Sequence, residues 1–453
     1  MSDALPLPAS DGLDLFQLDA TVAAAAIRDG RISTTEYVQS CLKRINALEE
    51  SVQAWTYLDE DWALEQAAAA DLAHKQGKSL GPLGGIPVGI KDIFDTREMP
   101  TENGTVLHAG RQPIRDAVAV AQLRQAGAII MGKTVTTELA VYAPGRTRNP
   151  HDPQRTPGGS SSGSAAAVAA GMVPLSIGSQ TNGSVIRPAA YCGVVGYKPS
   201  FAMISRVGAL CVAQSLDHVG VFARSVEDVA LVAEQMMGFD AHDPDMHPRP
   251  RPALVETVTE SPPLTPRFAF VKTPVWEQGD SDIHNAFAEL IEQLQDLVQE
   301  VMLAPVFEQV VDSLTTIMET ELARNFDSEY RRGADQLSEH LRAMIENGQR
   351  HRAVDYRAAL DSRAHINALL GEVFDEVDAI ITPATSGEAP QGLDSTGSPI
   401  FCTLWTYCGL PAITLPLMEG SHGMPLGVQL VGPRGDDARL LRTARWLTAH
   451  LRG

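Results

Sequence analysis

Between residues 155 and 200 the chain reads RTPGGSSSGSAAAVAAGMVPLSIGSQTNGSVIRPAAYCGVVGYKPS, two glycine-serine clusters joined by small apolar residues. The first, Gly158-Gly159-Ser160-Ser161-Ser162-Gly163-Ser164, runs into the alanine-rich stretch 165–170, and the second, residues 178–184, ends at Ile186-Arg187-Pro188. Flexible linkers share the glycine and serine, but tightly apolar strands and helices do not usually follow them. A helix of small residues lets backbones approach closely, and the spacing from Ser160 to Ser184 leaves room for a short helix and a strand. The two serine loops are expected to fold back on one another and bring two hydroxyls together.

The remaining chain bounds what can surround this pair. A length of 453 residues suits two or three average domains or one large α/β domain, and an apolar share of 44% supplies a large core. Residues 1–14 lack a basic start followed by an apolar run, so no targeting segment is expected. The longest apolar tract, residues 165–177, is interrupted by Gly171, Pro174 and Ser176 and falls short of the ~20 residues of a membrane span. No membrane partner is expected. Five scattered cysteines make neither a zinc site nor a disulfide framework, and a reducing cytoplasm suits them. A net charge of −20 without a basic stripe argues against nucleic acid.

In order, helices are expected over residues 21–30, 33–50 and 59–76, the second opening on a Ser33/Glu36 capping box, as an N-terminal helical layer (1–76) over a sheet. Turn residues 81–87 lead into a strand-like Val88-Gly89-Ile90-Lys91-Asp92-Ile93-Phe94. Lys91 in such a run reads first as a strand-end residue snorkelling to water. Further helices are expected at 117–126, 225–237, 283–300, through 306–372 and at 437–451, with strands at 267–271, 377–383, 411–416 and 425–432, the last two as a hairpin. Residues 240–266 read as a surface loop and 384–399 as a flexible segment. Strands separated by helices, with a hairpin near the end, give a mixed α/β sheet wrapped by helices.

Two motifs mislead. Gly127-Ala128-Ile129-Ile130-Met131-Gly132-Lys133-Thr134 satisfies G-x-x-x-x-G-K-T, yet Ala-Ile-Ile-Met reads as a buried strand whose N–H groups belong to a ladder rather than to phosphate. Gly159-Ser160-Ser161-Ser162-Gly163 fits G-x-S-x-G, but Pro150, Pro153 and Pro157 exclude the buried strand that a nucleophile elbow needs before it.

A serine hydroxyl attacks only when a base takes its proton and something neutralises the oxyanion. The histidines are scattered, mostly in polar or loop-like surroundings, which leaves a lysine held neutral by burial; the apolar run around Lys91 supplies such a place. The turn Gln180-Thr181-Asn182-Gly183-Ser184 would present successive N–H groups to one point, an oxyanion hole.

These residues resemble the amidase signature family of serine hydrolases. The likeness rests on Gly85-Ile86-Pro87-Val88-Gly89-Ile90-Lys91-Asp92, Thr156-Pro157-Gly158-Gly159-Ser160-Ser161, Gly183-Ser184, Arg187-Pro188-Ala189 and Cys192-Gly193-Val194-Val195-Gly196-Tyr197-Lys198-Pro199, densely over 81–200 and more weakly to Pro425-Leu426-Gly427-Val428-Gln429. It implies one domain spanning 1–453, with a catalytic core at 81–200 and a C-terminal part at 267–453. It further implies Ser184 as nucleophile, Ser160 as a bridging serine on a cis peptide, Lys91 as base, and an oxyanion hole from Thr181, Asn182, Gly183 and Ser184, without metal or organic cofactor. Asn182 and Ser162 stand where glycines are usual; asparagine tolerates positive φ better than most residues. Arg187 follows the nucleophile by three positions rather than two, and with Ser395-Thr396-Gly397 and Leu404-Trp405-Thr406 this looks like the malonamidase branch, in which the matching arginine holds a substrate carboxylate. A structural ion pair is the other role open to Arg187.

The implied activity is hydrolysis of a small amide, a carboxylate-bearing half-amide among the candidates, with water and a homodimer partner as the other associates. Two alternatives share the signature: an enzyme of neutral aryl amides, esters or carbamates, with residues 202–215 and 384–400 shaping its pocket, and a glutaminase-like component of a tRNA amidotransferase.

Overall fold

The computed structural model describes residues 14–452; the expectation of no targeting segment falls on residues outside them. Eleven strands form one mixed sheet: β1 (Trp55–Leu58), β2 (Pro87–Lys91), β3 (Ile129–Thr134), β4 (Leu175–Gln180), β5 (Val195–Lys198), β6 (His218–Ala223), β7 (Phe268–Lys272), β8 (Val298–Met302), β9 (Ala379–Pro383), β10 (Ala412–Glu419) and β11 (Pro425–Val431). Their order across the sheet is β1-β3-β2-β4-β6-β5-β10-β11-β9-β7-β8. The triplets β3-β2-β4 and β9-β7-β8 are parallel, and the other neighbours run antiparallel. Fifteen α-helices among the described residues cover both faces, so the α/β sheet wrapped by helices is a single domain, as expected.

The inner strands are apolar on both faces, as a doubly covered sheet requires. Every residue of β2, β3, β6 and β9 is buried. The Ser33/Glu36 capping box opens the helix Thr34–Val52 as the sequence indicates. The phosphate-loop lookalike is strand β3; Lys133 is buried, with Nζ 2.9 Å from Phe94 O, 2.6 Å from Thr101 Oγ1 and 3.3 Å from Asp92.

The structure departs from expectation where edges and context decide. The helix expected over 283–300 stops at Leu294, Gln295 takes φ 48°, and the chain turns into edge strand β8. Its Val298 and Val301 are half-buried while Gln299, Glu300 and Met302 face water, a pattern that helical periodicity imitates. The expected surface loop 240–266 contains the helix Leu254–Thr259, whose Leu254 and Val258 are buried. The segment 384–399 lacks regular structure but buries Ala384, Thr385, Ala389 and Thr396, and so packs as part of the molecule.

Parallel pairing of β2 with β4 brings their carboxyl ends to one edge, where open α/β sheets place their ligands. Lys91 ends β2, and Ser179 and Gln180 end β4.

Candidate active site

The segment before the helix Ser162–Ala169 crosses the ends of β2 and β4 because its glycines admit neighbours that a side chain would exclude. Gly158 has φ 80°, and a Cβ there would lie 2.8 Å from Pro188 Cα. The Gly159–Ser160 peptide is cis, as the resemblance implies. The alanine helix stands between this loop and β4, with Ser164 Oγ donating to Ile177 O at 2.9 Å. Ser161 ties the two clusters directly: its Oγ donates to Ser179 O at 3.2 Å and accepts from Ser179 N at 3.3 Å.

Lys91 does not snorkel. It is fully buried, with Nζ 2.7 Å from Ser160 Oγ and 2.8 Å from Ser179 Oγ. Burial holds its pKa well below the ordinary lysine range, against a raising effect from Asp217. A neutral amine with two hydroxyls in reach can accept a proton from either.

The turn 181–184 lies next to this group. Gln180 shapes it from within: Oε1 accepts the N–H groups of Val185 (2.8 Å) and Ile186 (3.0 Å), and Nε2 donates to Thr406 Oγ1 at 2.9 Å. Thr406 Oγ1 donates in turn to Asn182 O at 2.5 Å, and Thr403 Oγ1 to Asn182 Oδ1 at 2.9 Å. Neither Asn182 nor Gly183 takes a left-handed φ, so asparagine fits without strain; Gly183 is needed because a Cβ there would meet Pro399 Cβ at 2.9 Å. Among the described residues, the N–H groups of 181–184 and the Ser184 hydroxyl enter no protein hydrogen bond. Oriented N–H donors without an internal acceptor can hold an anionic oxygen.

Arg187 is the second residue of the helix Ile186–Tyr191 beyond that turn and is fully buried. Its N–H donates to Gly183 O at 3.0 Å, Nη2 to Gly159 O at 2.6 Å and Nη1 to Gly397 O at 2.7 Å. One side chain thus staples both serine loops and the segment 395–399. Its partners are carbonyls and not a carboxylate, so it is no ion pair, and Nε is buried without a partner.

Sequence reasoning singled out Lys91, Ser160, Ser184 and Arg187, and the fold gathers their loops. It missed Ser179 as a second hydroxyl on Lys91. It also missed the partners of Asn182, which come from distant segments: Thr403, Thr406 and Tyr142, whose hydroxyl accepts from Asn182 Nδ2 at 3.3 Å. Ser179 alone carried a usable signal, its place at the end of a strand parallel to the one ending in Lys91.

Two openings adjoin this cluster. A cavity of about 170 Å³ is lined by Ser179, Asp217, Phe94, Leu210 and Val212. A cleft of about 460 Å³ is lined by Tyr142, His340, Asp394, Thr396, Gly397 and Pro399. Arg206, on the cavity, is committed to Asp243 and Asp245, both at 2.5 Å. No helix among the described residues is long and apolar enough to cross a membrane, and all five cysteines are free.

The family model described as Amidase matches residues 36–441. The chain is 34% identical over 470 residues to a glutamyl-tRNA(Gln) amidotransferase subunit from Chloroflexus aurantiacus, covering 95% of this chain and 96% of that one. It is 33% identical over 462 residues to the putative amidase AmiD of Mycobacterium tuberculosis, covering 97% and 96%. The solved structure of 6-aminohexanoate cyclic dimer hydrolase complexed with substrate superposes with TM-score 0.85 at 26% identity, covering 97% of this chain and 98% of that one.

Proposed function

The chain belongs to the amidase family and is an amidohydrolase of carbon–nitrogen bonds other than peptide bonds, and from that premise we propose that it acts alone on small neutral amides through Ser184, Ser160 and Lys91. The observation that carries this reading is the buried Lys91 amine 2.7 Å from Ser160 Oγ, beside a turn whose N–H groups are unused. Neutral Lys91 takes the Ser160 proton as Ser160 takes that of Ser184, and the Ser184 oxygen bonds to the amide carbon. The carbonyl π electrons move to oxygen, held by N–H groups of 181–184. Lys91, now an ammonium, returns a proton through Ser160 to the leaving nitrogen as the C–N bond breaks. Water then attacks the acyl ester by the same relay, releasing the acid and restoring Ser184.

Neutral substrates are favoured over half-amides because no unpaired arginine or lysine among the described residues lines either opening. Arg187 is occupied and lies behind Gly397, Arg206 is paired, and Asp394 lines the cleft. Esters and carbamates share the carbonyl geometry and are expected as secondary substrates. The relatives named as components of a tRNA amidotransferase keep a second reading open, in which partners complete the enzyme. Turnover of a neutral anilide or aliphatic amide by the purified chain, exceeding that of malonamate, supports the first reading. Inactivity on every simple amide would remove it.

Arg187→Met separates the roles of that side chain. Losing charge-assisted bonds to the buried Gly159 carbonyl and the part-buried Gly397 carbonyl is expected to cost about 3 kcal/mol and to lower kcat/KM alike for neutral and anionic amides. Thermal melts and kinetics check this; a loss confined to malonamate would restore the substrate-binding role.

A further inference from the structure

Asp217 closes the loop that lines the cavity beside Lys91. Its Oδ2 accepts the N–H groups of Val212 (2.8 Å) and Ala213 (3.1 Å), and its own N–H donates to Ala213 O at 2.8 Å. Its Oδ1 accepts the hydroxyl of Thr181, the first residue of the 181–184 turn, at 2.6 Å. The same cavity is lined by Ser179, whose Oγ lies 2.8 Å from Lys91 Nζ. Asp217 is buried and enters no salt bridge among the described residues; the nearby Arg206 pairs with Asp243 and Asp245 instead. A buried carboxylate without a cation is costly to keep unless a positive charge forms next to it. Lys91 becomes an ammonium once in acylation and once in deacylation.

We propose, resting on Lys91 as the base, that Asp217 is a positioning residue with two effects: it anchors the oxyanion turn through Thr181 and supplies the negative charge that balances the proton Lys91 carries in mid-reaction. Both effects arise from one carboxylate, with one oxygen on the turn and its charge on the cavity that also holds Ser179, the hydroxyl 2.8 Å from the amine. Burial pushes Asp217 up to about 6, opposed by the Thr181 hydroxyl, the two N–H groups and the charge of Arg206. It is also the charge that raises Lys91 against the effect of burial. The other titratable groups around it are fixed over the working range. Burial pushes Cys211 up to about 12 and His218 well below its usual value, while Arg206 stays charged beside Asp243 and Asp245.

Three variants of the full chain distinguish these effects. Asp217→Asn keeps both kinds of hydrogen bond if its amide donates to Thr181 and its carbonyl accepts from residues 212 and 213, but removes the charge. It should move the acidic limb of kcat/KM to lower pH by about one unit and reduce kcat about tenfold. Asp217→Glu should hold the limb in place. Thr181→Val keeps the charge and loses the anchor, so kcat should fall about tenfold with KM little changed and the limb unmoved. Circular dichroism and thermal melts establish folding of each variant. An Asp217→Asn limb that superposes on the wild-type limb overturns the charge effect, and undiminished kcat in Thr181→Val overturns the anchor. Should Asp217→Asn fail to fold, Asp217→Glu and Thr181→Val decide: a limb displaced in the charged variant overturns the proposal. Failure of the underlying reading is separate, because Lys91→Ala would then retain activity and the wild-type limb.

Discussion

Ser184→Ala is expected to lower kcat on a neutral amide by about 10⁴-fold or more while leaving the melting temperature within a degree or two of wild type. The two halves have different causes. Chemically, the substitution removes the atom that bonds to the acyl carbon and leaves the Ser160 hydroxyl, 2.7 Å from Lys91 Nζ, with no serine nucleophile to deprotonate. Structurally, the Ser184 hydroxyl enters no protein hydrogen bond among the described residues, so no buried partner is orphaned. Ser160→Ala should be less complete in effect, because Lys91 and Ser184 remain and a water can stand in the gap, at a loss of about 10²-fold or more. A mass shift from a covalent acyl probe should map to Ser184 in the wild type and vanish in Ser184→Ala. Labelling of another serine, or wild-type turnover by the alanine variant, would move the nucleophile elsewhere.

The parts of this site that could be read from the sequence are those whose residue types are dictated locally. Gly158 and Gly183 are required by close backbone approach, the alanines of 165–170 by the helix packed between loop and strand, and Lys91 by an apolar strand that leaves an amine no route to water. The fold class followed from the same logic, because buried β2, β3 and β9 are continuous apolar runs between amphipathic helices. What stayed hidden depends on contacts far apart in the chain. The partners of Asn182 come from Thr403, Thr406 and Tyr142, and that of Thr181 from Asp217. Arg187 shows the difference most clearly. Its residue type announced planar recognition, and a carboxylate or an ion pair was expected, but the fold brings two main-chain carbonyls to the fork instead. Strands β1, β5, β6 and β8 were missed for a related reason: β1 and β8 are the two edges of the sheet, four-residue β5 contains Gly196, and β6 begins at His218 and contains Gly220, features that read as punctuation until neighbouring strands flank them.

Lys91→Met should abolish activity, by about 10³-fold or more, and should also change how stability depends on pH. In the folded chain burial holds the Lys91 pKa below the ordinary lysine value of about 10.4, which the unfolded chain regains. Between those two values the unfolded state binds more protons than the folded one, and wherever that holds stability rises with pH. Below the folded pKa both states carry the proton and the cost of burying it is constant; above the unfolded value both are neutral and the cost is gone. Methionine has no proton to lose, so this rise is absent from the variant. The difference in melting temperature, variant minus wild type, is therefore expected to fall as pH is raised from the folded-state value of Lys91 towards the unfolded one. The sign of this trend does not depend on the two hydrogen bonds to Ser160 and Ser179 that the variant also loses, because their contribution is an offset common to that pH range. A pH-independent difference would mean that Lys91 keeps its proton in the folded protein, and a lysine that keeps its proton cannot begin the relay.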